Sequence, residues 1–147
     1  MKRLPDWRRR LERFVDEAER TPFAWGAADC GPDWAGRAIE AVLGIDIAAR
    51  YRGRYASVTE ALRLLREAEV KSLGDLVGRL LEQATGANCE IHPSAARFGD
   101  IMAVPDGGPF VHTLGICNGE RILVRRADGK GTVERTAATR AWRLGHA

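Results

Sequence analysis

No apolar run in this 147-residue sequence reaches half of the roughly 20 residues that a membrane-crossing helix needs, so an integral membrane segment is not expected. The first residues, MKRLPDWRRR, are basic like the start of a signal peptide, but no apolar stretch follows, and no secretion signal is expected. Cysteine is sparse and odd in number: Cys30, Cys89 and Cys117. That count argues against a disulfide framework and fits synthesis in a reducing compartment. The chain lacks a glycine-rich phosphate loop, an internal repeat and a low-complexity linker. Lysine is nearly missing, since 20 of the 23 basic residues are arginine.

What is present is the balance of an ordinary globular protein, 45% hydrophobic and 29% charged. The length fits one domain, residues 1–147, able to bury a core without staples. The net charge of +3 is uneven: seven basic and five acidic groups in residues 1–20, nine and thirteen in 21–120, and seven and two in 121–147. The arginine-rich ends suit protein contacts. Glu12, Asp16, Glu17 and Glu19 interleave with Arg8, Arg9, Arg10 and Arg13 and weaken any field offered to a phosphate backbone, so no nucleic-acid partner is expected.

Helical periodicity dominates residues 1–86 and strand patterns residues 97–144, which predicts an α+β fold with N-terminal helices packed on a C-terminal antiparallel sheet. Trp7, Leu11, Phe14, Val15 and Ala18 form one helical stripe behind an expected Asp6 N-cap, and Thr21-Pro22 ends it. A second helix is predicted from Cys30 to Leu43, capped by Asp29 and stopped by Gly44, with Cys30, Trp34, Ala38 and Val42 on one face. Ser57 and Glu60 form a capping box for a third helix, with Val58, Leu62, Leu65 and Ala68 inward. A fourth runs from Leu73 to about Ala84 and closes at Gly86. Strands are expected at 99–104, 110–117, 120–126, 132–135 and 141–144, with turns at Asn118-Gly119 and Asp128-Gly129.

The segment Pro22 to Cys30 places a cysteine at a helix start after an aromatic, glycine-containing loop. A helix N-terminus favours a thiolate, whereas the adjacent Asp29 carboxylate opposes it, and the core stripe offers Cys30 a purely packing role. Of the three histidines, only His112 sits in a predicted strand, where a base could meet the cysteine helix; a strand histidine satisfied by the backbone is the competing reading. Cys89-Glu-Ile-His92 has a metal-like spacing but supplies one short pair where a zinc site needs four ligands, so neither metal nor cofactor is expected.

Asp29-Cys30 at a helix start, Gly99-Asp100-Ile101-Met102 and His112-Thr-Leu-Gly-Ile-Cys117 together resemble the NlpC-type, papain-like cysteine peptidases. With Pro22-Phe-Ala-Trp-Gly, Gly44-Ile-Asp46, Arg52-Gly-Arg-Tyr55 and Ala141-Trp142-Arg143, residues 22–144 resemble a phage and prophage branch of that superfamily. The resemblance implies a papain-like fold. It also implies a phage-tail protein made in the bacterial cytoplasm, with tail or tail-tip proteins as partners. One implied function is a cell-wall endopeptidase that cuts peptidoglycan peptide stems, with Cys30 as nucleophile, His112 as base, and Trp25, Asp29 and Thr113 around the cleft. The other is a catalytically degenerate tail or assembly component.

Two departures separate the chain from the peptidase pattern. His112 lies one residue too early relative to Gly115, so strand alternation puts His112 with Leu114 and Ile116 and puts Thr113 with Gly115 and Cys117. Thr113, rather than His112, is therefore expected to face Cys30 unless a bulge intervenes. In addition, the window that should hold an orienting group reads Leu123-Val-Arg-Arg126, and arginine accepts no hydrogen bond.

Overall fold

The computed structural model describes residues 1–23, 29–126 and 129–145. Among these, four α-helices and a six-stranded antiparallel sheet form an α+β architecture: α1 Trp7–Glu19, α2 Gly36–Leu43, α3 Val58–Glu67, α4 Leu73–Thr85, β1 Glu90–Ile91, β2 Ile101–Pro105, β3 His112–Cys117, β4 Arg121–Arg126, β5 Gly129–Glu134 and β6 Arg140–Trp142. The strand order is β1-β6-β2-β3-β4-β5.

The helix ends follow their sequence punctuation. Ser57 and Ser72 accept the backbone N–H groups of Glu60 and Asp75 and start α3 and α4. Gly44 and Gly86 stop α2 and α4 at φ of 77° and 78°, a region that glycine enters at low cost. Asp6 departs from its expected role. Its side chain caps nothing and accepts from Arg10 instead. In α3 Leu65 is buried, and Leu62 and Ala68 pack half-buried against the main core as expected, whereas Val58 is exposed; Ala61 and Leu64 are also buried, in a small cluster with Tyr55.

The predicted helix from Cys30 to Leu43 is two elements. Cys30–Ala35 is a π-helical turn and α2 continues from Gly36. The wide turn arises where the Trp34 N–H reaches the Asp29 carbonyl at 2.9 Å, five residues back. At the Asn118-Gly119 turn only Gly119 has positive φ, while the Asn118 side chain accepts from the N–H groups of Glu120 and Arg121. Asp128 and the loop residues 24–28 lie outside the described residues.

The sheet has two buried faces. Ile101, Ala103, Leu114, Ile116 and Trp142 meet Trp34, Ala38, Leu73, Val77 and Leu81 in the main core. Met102, Cys117, Ile122, Val124 and Ala141 turn the other way and are covered by Ala96 and Ala138, beside short 3-10 turns at Pro93–Ala95 and Arg135–Ala137. Successive β3 residues therefore belong to different layers. No described helix is long and apolar enough to cross a membrane.

Candidate functional site

Cys30 opens the π-helical turn, and Asp29 organises that start. One oxygen of the wholly buried Asp29 carboxylate accepts from the N–H groups of Gly31 (3.2 Å) and Asp33 (3.3 Å), and the other accepts from the Tyr55 hydroxyl. The segment carrying Tyr55 is tied down by Arg52, which forms a two-pronged bridge to Asp46 and donates to the Pro32 carbonyl at 2.9 Å. Asp46, Arg52 and Tyr55, all in sequence blocks singled out above, thus converge on the base of the Cys30 helix. Burial, and then the neighbouring Asp29 charge, push the Asp33 carboxyl above its ordinary value. The apolar cleft here is lined by Asp29, Gly31, Pro32, Tyr51, Tyr55 and Phe110 among others, and its cavity of about 40 Å³ holds a few water molecules at most. Cys30 is placed by its backbone alone, and Trp25, expected to wall this cleft, lies outside the described residues.

His112 begins β3 on the face that packs against the helices, with Leu114 and Ile116. Thr113 points to the opposite layer, and its hydroxyl donates to Asp106 at 2.9 Å. The expectation that Thr113 faces the cysteine helix is therefore corrected. The alternation itself holds, but the Gly115 side lies against Ile122 and Val124, leaving the helix side to Leu114 and Ile116.

The His112 ring is only 7% exposed, and its Nδ1 accepts the Gly74 N–H at 3.3 Å. The preceding N–H, of Leu73, goes to the Phe110 carbonyl at 3.1 Å. His112 and Phe110 together thus satisfy two of the donors that open α4. A Cβ on Gly74 would lie 2.8 Å from Nδ1, so glycine lets the ring approach. Burial first, and then the Arg140 guanidinium, lower the His112 pKa below its ordinary value, against smaller opposing effects of Asp75, Asp106 and Glu90. An imidazole whose Nδ1 is occupied by a donor is neutral and carries its proton on Nε2.

Where a third catalytic group would be sought, Arg125 serves another purpose. Its guanidinium donates to the Ala18 carbonyl at 2.6 Å and to that of Thr21, at the C-terminal end of α1. His92 Nδ1 accepts the Ser94 N–H at 3.1 Å, and among the described residues no group of His, Cys, Asp or Glu could hold a metal ion. Sequence reasoning missed the Tyr55–Asp29 bond and the role of Gly74. A glycine in the first turn of a helix, where it costs stability, was the available signal for the latter.

Comparison with known proteins matches residues 2–144 to a family described as a domain of unknown function (DUF6950), and the chain belongs to that family. No curated protein and no solved structure matches it.

Proposed function

From the sequence resemblance and the hydrogen bonding of His112, we propose that the chain is a papain-like, NlpC-type domain that serves as a catalytically degenerate structural component of a phage or phage-like tail. The observation that carries this reading is the His112 Nδ1 contact with Gly74. A general base needs a free lone pair aimed at the nucleophile. Here the lone pair of Nδ1 is used by α4, Nε2 holds the proton, and burial with Arg140 disfavours the imidazolium that catalysis would form. The small cleft beside Asp29 and Gly31 and the use of Arg125 as a cap for α1 agree with this reading. The tail location and its protein partners rest on the sequence resemblance alone.

One observation favours the peptidase reading: β3 packs on the π-helical turn through the face that bears His112. In that reading the Cys30 sulfur adds to a peptide carbonyl of a peptidoglycan stem, and His112, released from Gly74, takes the thiol proton and passes it to the departing amine; water then hydrolyses the thioester and frees Cys30. The test is hydrolysis of purified peptidoglycan by wild type, Cys30→Ser and His112→Ala. The structural reading expects no soluble peptide release by any of the three, with slow thiol labelling of native Cys30. Release by wild type that is lost in both variants overturns it.

A further inference from the structure

At the end of β2 away from His112, four guanidiniums gather over one carboxylate. Asp100 is fully buried and already holds four donors: Arg3 Nη2 at 2.8 Å, the Leu144 N–H at 3.0 Å, the Arg97 N–H at 2.8 Å and Arg143 Nε at 3.2 Å. Above it a cavity of about 460 Å³ is lined by Arg3, Trp7, Arg8, Arg97, Phe98 and Arg143, with Gly145. The side chains of Arg8 and Arg97 are exposed and have no carboxylate partner among the described residues. Among the described residues, the single carboxylate of Asp100 thus faces four positive charges.

The arginines are also pre-positioned. Arg3 lies 4.3 Å from the Trp7 ring centre, and Arg8 lies 5.4 Å from that of Trp7 and 4.7 Å from that of Phe98. Gly99, at φ 93°, lets Trp7 and Arg3 close in, since a Cβ there would sit 2.9 Å from the indole. Arg3 is held in plane by the Leu144 carbonyl at 2.8 Å, the Phe98 carbonyl at 2.7 Å and Asp100, and Arg143 by Asp100 and the Ala95 carbonyl at 2.6 Å, so these two supply fixed positive charge. Arg8, stacked on both rings, and Arg97 offer the N–H edges for an in-plane partner. Burial lowers the Arg3 pKa despite Asp100, and Arg143 and Arg97 add to the lowering. Arg140 provides the internal contrast. It is bridged by both Asp75 and Glu90, and its pKa is raised.

We infer that the pocket formed by Arg3, Arg8, Arg97 and Arg143 is a binding site for a compact, doubly charged oxyanion of the phosphate-monoester class. Guanidinium forks match the oxygen geometry of a phosphate, and a dianion answers the excess charge better than a single carboxylate. Trp7 and Phe98, with ring centres 5.5 Å apart, make one aromatic wall of the concavity, and its volume of about 460 Å³ suits a compact head group rather than a nucleic-acid duplex. The site lies at the opposite end of β2 from Pro105, the strand partner of His112, so it stands or falls apart from the catalytic question.

The test is titration of the full chain with glycerol 1-phosphate, followed by NMR at the Trp7 indole and the Arg3 Nε–H, with ionic strength held constant by sodium chloride. Saturable shifts are expected at pH 7.5, weaker by at least about threefold at pH 5, where the ester is a monoanion. Arg8→Gln/Arg97→Gln should weaken binding at least tenfold with an unchanged melting temperature, whereas Arg9→Gln, outside the pocket, should leave it intact. A parallel arm uses phosphatidylcholine vesicles containing phosphatidic acid: retention that is lost in the double variant places the phosphate on a lipid, and binding of the soluble ester alone places it on a small molecule. Absence of binding in both arms, shifts reproduced by chloride alone, or equal affinity in the double variant would overturn the assignment.

Discussion

An imidazole that accepts a backbone N–H at one nitrogen must keep its proton on the other, and this gives His112 a measurable signature. Two-dimensional nitrogen spectra should show Nδ1 bare and Nε2 protonated at pH 7, with a titration midpoint below the ordinary histidine value of about 6.5. The sign of the stability effect follows. Between the lowered folded pKa and the ordinary unfolded one, the unfolded chain binds more protons, so acid favours unfolding. The contribution is complete above about pH 6.5 and is lost as pH falls through the folded value. Urea unfolding from pH 8 to pH 5 should therefore weaken wild type more than His112→Gln, whose amide oxygen can still accept the Gly74 N–H. Gly74→Ala, with its Cβ 2.8 Å from Nδ1, should cost about 1–3 kcal/mol by overcrowding, read from the same urea curves.

The start of β3 is set by an unusual backbone. Val111 has φ of 70°, and the His112 N–H folds back onto the Phe110 carbonyl at 2.8 Å, an i to i+2 bond around a β-branched residue. The side chain of Val111 is 43% exposed, so its removal sacrifices little burial. Relief of strain against the entropy cost of glycine predicts that Val111→Gly raises stability by roughly 0.5–1 kcal/mol, measurable as a higher urea midpoint. Such a turn has no sequence signature, since valine is the residue least expected in it. The helices were legible because their periods, serine caps and glycine stops agree locally. The alternation of His112 and Thr113 was legible too, but the layer each faces depends on partners far along the chain, Leu73 on one side and Val124 on the other. The two-residue β1 and the π-helical turn at Cys30 were missed because the first is too short for a pattern and the second arises from the reach of the Trp34 N–H to the Asp29 carbonyl.

At the scale of the whole molecule, Asp100 is the point where distant parts of the chain are fastened. It takes Arg3 from the N-terminal segment and Arg143 with the Leu144 N–H from the C-terminal one, and Arg3 also donates to the Leu144 carbonyl at 2.8 Å. Asp100→Ala should cost about 3–5 kcal/mol, because it strands partly buried guanidiniums without their counter-charge, and chemical denaturation would show the loss. The Gly-Asp block of the sequence, read beforehand as a family marker, thus has a fastening role that spacing alone could not reveal. The same clasp brings Gly145 beside the Met1 carbonyl. Residues 1 and 145 are thereby neighbours in space. A short glycine-serine bridge from residue 145 to residue 1, with a new opening at the exposed Gly107-Gly108 turn, should give a circular permutant that keeps every Asp100 contact and still folds.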